Sequence, residues 1–158
     1  MIINWPGRMA RHAVDGYVRT PVSIYDLAPT IYAATGIRYP SEVNGRKLKP
    51  MDGISILPVL QGKSIADRNI RYAYKSDQVI RNEKFKLFGK RSRKGKDATW
   101  QLFDVSKDQS EIDNVIKEHR EVAAEMIDDW NRFDADVGIV SGYDKYFGDK
   151  KDKAESQK

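Results

Sequence analysis

Ile70-Arg71-Tyr72-Ala73-Tyr74, Gln78-Val79-Ile80-Arg81, Phe85-Lys86-Leu87-Phe88 and Trp100-Gln101-Leu102-Phe103 decide how this chain is read. From Asn69 onward the pattern takes a period of two, and β-branched and aromatic residues crowd into short runs, as strands require. Asn82-Glu83 or its neighbours turn one hairpin. The basic run Lys90-Arg91-Ser92-Arg93-Lys94-Gly95-Lys96 closes another. The spacing predicts an antiparallel meander of four strands, an ordinary sheet size.

Downstream, Val122, Met126, Trp130 and Phe133, with Ala123 and Ile127 beside them, recur at three- and four-residue steps. That is the apolar stripe of one amphipathic helix, expected over Ile116 to Phe133, with Glu118, Glu121, Glu125 and Asp128 on its other faces. A helix following a small sheet packs most simply across one sheet face, so the fold class expected is α+β. Beyond Tyr146-Phe147, the sequence DKKDKAESQK carries few apolar residues, and 148–158 is expected to be a disordered tail.

Upstream, Val22 to Thr35 reads as a helix. Ser23 caps it with Asp26 three residues on, and Gly36 stands where a C-terminal glycine belongs. Pro29 either kinks this helix or begins it. Ala28, Ile31, Tyr32 and Thr35 would form its buried face. Gly36 to Met51 reads as a loop, Asp52-Gly53 as a tight turn, and Ser55 as the cap of a short helix through Leu60 that stops at Gly62. At the front, Met1, Ile2 and Ile3 form an apolar strand that runs into the turn signal Trp5-Pro6-Gly7. Such a strand needs neighbours on both sides, so a C-terminal piece of a larger enzyme is expected.

Of 158 residues, 40% are hydrophobic, which suffices for one modest core and excludes a disordered chain. No window approaches the roughly 18 apolar residues of a membrane span, and no membrane role is expected. Cysteine is absent, which removes disulfides, thiolate metal sites and cysteine nucleophiles together. The net charge of +5 comes largely from Lys90–Lys96 and from Lys150, Lys151 and Lys153. Lys90–Lys96 reads as a solvated loop between strands or as a patch for sulfated or other polyanionic ligands. It holds no aromatic residues for base stacking, so no nucleic acid is expected as a partner.

Catalytic material is sparse. The two histidines are His12, in a polar connector, and His119, read as a solvent-facing helix residue. Asp104, Asp108, Glu111 and Asp113 lack the alternation and the sixth-position glycine of a calcium loop, and read as turn and cap residues. No phosphate-cradling glycine loop, zinc pair or nucleophile elbow is present. No residue of the chain is assigned a catalytic, cofactor-binding or metal-ligating role.

The succession of segments resembles the C-terminal third of the sulfatases, particularly the arylsulfatase-like members of the alkaline phosphatase superfamily. INWPG (3–7) matches the family's strand ending in Trp-Pro-Gly. VRTPVSIYDLAPTIYAATGI (18–37) carries its Asp-Leu-x-Pro-Thr helix, and NGRKLKPMDGISILPVLQGK (44–63) its Asp-Gly-x-Ser-Leu-x-Pro-x-Leu-x-Gly segment. VIRNEKFKLF (79–88) matches its Val-Arg and Lys-Leu strands. WQLFDVSKDQSEIDNVIKEHREVAAEMIDDW (100–130) matches its closing strand, acidic turn and final helix. Each piece alone is weak; five in the family's order are specific.

The resemblance implies that 1–62 is the remnant of a large α/β sulfatase domain, its last strand and helices, and that 69–137 is the C-terminal subdomain. The chain would then be a sulfuric ester hydrolase fragment that completes the large domain's sheet and walls one side of the substrate cleft. Family members use a formylglycine made from Cys/Ser-x-Pro-x-Arg beside a calcium ion, both supplied upstream of the Trp-Pro-Gly strand. Calcium and formylglycine are therefore expected in the complete enzyme and none in this chain, which should be inactive alone. The expected partners are the missing N-terminal sulfatase domain and, for the full-length enzyme, a sulfate ester. The sequence itself assigns no compartment; the resemblance implies a periplasmic or secreted setting. Two departures stand out: Asp108-Gln109 replaces the family's Asp-Pro, and Tyr72-Ala73-Tyr74-Lys75-Ser76-Asp77 replaces the Trp-Glu-His-like stretch of several relatives. Without the large domain, Ile2, Ile3 and the Ala28/Ile31/Tyr32 face should be poorly covered.

Overall fold

Strand and helix periods in the sequence become two compact units in a computed structural model, Met1–Asp67 and Arg68–Lys158. The structure describes residues 2–9, 17–90 and 99–138. His12, most of the Lys90–Lys96 run and the 148–158 tail lie outside the described residues.

In the second unit, β3 (Ile70–Tyr74), β4 (Asp77–Arg81), β5 (Phe85–Lys90) and β6 (Thr99–Asp104) form a four-stranded antiparallel meander in chain order. Asn82 makes the β4–β5 turn: its Oδ1 accepts the N–H groups of Lys84 at 3.1 Å and Phe85 at 2.7 Å. Register follows the side-chain alternation, with Ile80 opposite Leu87 and Leu87 opposite Leu102. Gly89 lies opposite Trp100, and a Cβ there would come within 2.4 Å of the indole, so the glycine makes room for the ring.

The helix α3 (Arg120–Val137) packs on this face, and Ile80, Phe85, Leu87, Leu102, Ala123, Met126 and Trp130 form the core. Its stripe is the one expected, but it begins a turn later than Ile116. Asn114 explains the delay. Its Oδ1 accepts the N–H groups of Leu102 and Ile116, and Val115 donates to Leu102 O, so the chain is still tied to the edge of β6. His119 consequently sits at the N-cap. It is half-buried, its ring 5.0 Å from that of Phe85, and not the solvent-facing helix residue expected.

In the first unit, a 3₁₀ turn (Ile24–Asp26) leads into α1 (Leu27–Thr35). Ser23 and Asp26 form the expected capping box, and Gly36 closes the helix at φ 73°. Pro29 lies in the first turn of α1, where its missing N–H costs nothing. The buried face differs from expectation: Asp26, Pro29 and Thr30 are inside, while Ala28, Ile31 and Thr35 are exposed. The polar residues go inside because they saturate backbone groups of the Gly53–Ile56 segment, as described below.

Within the region read as a loop, β1 (Glu42–Val43) and β2 (Arg46–Lys47) pair through Asn44-Gly45, both at positive φ. That dipeptide is the preferred tight hairpin turn. α2 (Leu57–Leu60) follows, with the Ser55 hydroxyl accepting the N–H of Leu57 and Gly62 at φ 85°. Met1–Ile3 was expected to be a strand, but residues 2–5 form none, and Ile2 is 98% exposed. Strands exist by pairing, and among the described residues none pairs there. Trp5-Pro6-Gly7 does turn, with Arg8 N–H bonded to Trp5 O.

Candidate functional site

Two polar constellations stand out, one in each unit. In the first, the buried Asp26 accepts the N–H of Ser23 at 2.7 Å through Oδ2 and the N–H of Ile54 at 3.0 Å through Oδ1. Thr30, one turn along, donates its hydroxyl to Asp26 O at 2.6 Å and accepts the N–H of Ile56 at 2.9 Å. Asp-x-x-x-Thr spacing thus places a carboxylate and a hydroxyl on one helix face, a step apart, opposite alternate amides of an extended segment. Gly53 permits the approach: a Cβ there would lie 2.0 Å from Tyr25 O. The two motifs Asp26-Leu-Ala-Pro-Thr30 and Asp52-Gly-Ile-Ser55 clasp each other.

In the second unit, Asp129 on α3 takes Arg71 Nε at 2.9 Å, Arg71 Nη2 at 2.6 Å and Asn69 Nδ2 at 2.9 Å. Asn82 Nδ2 donates in turn to Asn69 Oδ1 at 3.2 Å. Burial alone would raise the Asp129 carboxyl; the bonds from Arg71 and Asn69, with the charges of Arg71 and Arg132, more than offset it and hold the group below its ordinary value. The Arg71 guanidinium also lies 5.8 Å from the Phe133 ring centroid. This network ties strand β3 to the helix.

The acids weighed as a metal group have structural partners. Asp104 accepts the Ser106 hydroxyl at 2.5 Å and the Ser106 N–H at 3.2 Å, and the hydroxyl bond leads in holding its carboxyl below the ordinary value against burial. Asp108 accepts the N–H groups of Ser110, Ile112 and Asp113; the Asp113 bond leads in lowering its pKa, again against burial. Glu111, at φ 58°, pairs with Lys86 Nζ at 2.7 Å through Oε1. Their lone pairs hold turns and strands, and no group of three or more His, Cys, Asp or Glu suited to a metal ion occurs among the described residues. Among the described residues, no helix is long and apolar enough to cross a membrane.

Sequence reading did not anticipate the clasp or the Arg71–Asp129 network. The signal for the first lay in Asp26 and Thr30, two polar residues at helical spacing with a glycine-containing turn downstream. For Arg71 and Asp129 no local signal exists, since 58 residues separate them.

The architecture has relatives. The structure of BT4656 in complex with its substrate D-glucosamine-2-N,6-O-disulfate aligns with a TM-score of 0.50 at 23% identity, covering 70% of this chain and 23% of that one. The crystal structure of Ps i-CgsB aligns with a TM-score of 0.52 at 23% identity, covering 72% of this chain and 24% of that one. In sequence, an uncharacterized sulfatase of Schizosaccharomyces pombe is 25% identical over 140 residues, covering 79% of this chain. The chain spans 23% of that relative's length. Residues 1–135 match the family described as N-sulphoglucosamine sulphohydrolase, C-terminal, so the chain belongs to that family and corresponds to the C-terminal part of a sulfatase.

Proposed function

We propose that this chain is the C-terminal portion of a sulfuric ester hydrolase acting on a sulfated sugar, and that it has no activity alone. Its role is to complete the sheet of an N-terminal catalytic domain and to wall one side of the substrate cleft. The carrying observation is the family match over residues 1–135 in a chain that spans 23% of its relative's length. The sugar-sulfate class is supported by the family's description and by the substrate in the BT4656 complex, D-glucosamine-2-N,6-O-disulfate. In this reading 1–62 belongs to the large domain, 69–137 is the subdomain, and calcium and formylglycine come from the upstream part.

The exposed apolar surface of the first unit supports the same reading. Ile24 is 71% exposed, Tyr25 62% and Ile31 62%, a density of large apolar groups on one short helix and its entrance that ordinarily meets another surface. Assays of the chain with an aryl sulfate and calcium are expected to give no turnover. Measurable hydrolysis overturns the reading.

A further inference from the structure

Residues 35–47 are exposed without interruption, and within them β1 and β2 form a two-stranded sheet of their own. A lone hairpin of this kind is marginally stable in water, so it opens and recloses readily. Directly after its Asn44-Gly45 tip comes the basic pair Arg46-Lys47. What flanks the hairpin is tied together without it. The Asp26–Ile54 bond spans 28 residues and the Thr30–Ile56 bond 26, and both cross from the α1 side to the segment that follows the hairpin. Ile56, Val59 and Leu60 are buried and anchor that downstream side.

We propose that Arg46-Lys47 is a cleavage site for a trypsin-like serine protease, and that the clasp holds the two products as one folded unit. The protease class follows from the side chains, since a specificity pocket carrying a carboxylate takes Arg or Lys. Water is the co-reactant. Its oxygen ends on the Arg46 carbonyl carbon, the C–N bond to Lys47 breaks, and the Lys47 nitrogen keeps the proton as a new amino terminus; cleavage after Lys47 does the same at Leu48. The new carboxylate and ammonium lie at an exposed tip, where water solvates both, and no bond of the clasp is lost. Neighbouring basic residues suit the protease less. Lys49 precedes Pro50, whose ring fixes φ and removes the N–H. Arg38 precedes Tyr39, whose ring lies 5.4 Å from that of Tyr32 and whose hydroxyl donates to Lys49 O at 3.3 Å. The site depends on the first unit alone and not on the chemistry of a sulfatase.

The test is brief digestion of the full chain with dilute trypsin. New amino termini at Lys47 and Leu48 are expected by mass spectrometry and amino-terminal sequencing. The piece ending at Arg46 and the piece beginning at Lys47 should co-elute on size exclusion in native buffer and separate in urea. Arg46→Gln/Lys47→Gln should lose this cut; both positions are exposed, and an unchanged circular dichroism spectrum shows that the fold is kept. Thr30→Val removes the acceptor of the Ile56 N–H, so its nicked form should separate at lower urea than the nicked parent. A 46–48 stretch left intact while Arg38 or Lys63 is cut overturns the cleavage site. Pieces that part in native buffer, or a nicked Thr30→Val chain as resistant to urea as the nicked parent, overturn the role of the clasp.

Discussion

Arg71 on β3 grips Asp129 on α3 at two points, Nε to Oδ2 at 2.9 Å and Nη2 to Oδ1 at 2.6 Å. The pair is 32% and 15% exposed, so solvent screens it only in part. It joins the terminal strand of the sheet to the covering helix, and Asn69 and Asn82 extend it to the β4–β5 turn.

Because the folded-state pKa of Asp129 lies below its ordinary value of 3.8, its contribution to stability is complete above that value and is lost as pH falls through the lower, folded one. Asp129→Asn should lower stability by about 1–2 kcal/mol at neutral pH. It should also flatten the acid limb. Urea midpoints measured between neutrality and pH 2 check both, and an unchanged acid limb counts against the assignment.

Trp130 is 1% exposed and meets Trp100 and Phe133 edge-on at centroid distances of 6.4 and 5.6 Å. Trp130→Ala removes the largest fully buried side chain of the sheet–helix core. The expected loss is about 3–5 kcal/mol, a large share of the roughly 5–15 kcal/mol available to a domain. Chemical denaturation followed by Trp100 fluorescence gives the number.

For the clasp, Gly53→Ala sets a methyl group against the Tyr25 carbonyl, and both are backbone, so neither yields cheaply. A cost of about 1–3 kcal/mol follows. Thr30→Val instead leaves the Ile56 N–H without its acceptor, again about 1–3 kcal/mol. Hydrogen exchange at the Ile54 and Ile56 amides should accelerate in Gly53→Ala, and at Ile56 in Thr30→Val. Protection equal to the parent would mean that the clasp does not hold the segment.

The sheet and its helix were legible because their information is local. Alternation in Phe85-Lys86-Leu87 and the Val122/Met126/Trp130/Phe133 stripe each declare a buried face without reference to anything distant. The Ser23–Asp26 box is local too. What escaped was long-range. Hydrophobicity alone assigns Ile31 and Tyr32 inward on α1, yet Asp26 and Thr30 are buried because amides 26 to 28 residues away need acceptors. Asn44-Gly45 was a visible hairpin signal submerged in a polar stretch. His119 was misplaced because Asn114 delays the helix, a tertiary bond that periodicity cannot register.

Asn114 has a wider consequence. Together with Val115 it occupies Leu102, supplying to β6 the hydrogen bonds that a fifth strand would otherwise offer. The meander thereby occupies its β6 border at Leu102, and among the described residues the opposite border, Ile70–Tyr74, has no strand beside it. Extension of this sheet is directional: among the described residues, association through it, wanted or unwanted, starts from β3, and Lys75 in the turn that follows is the charge set beside that border.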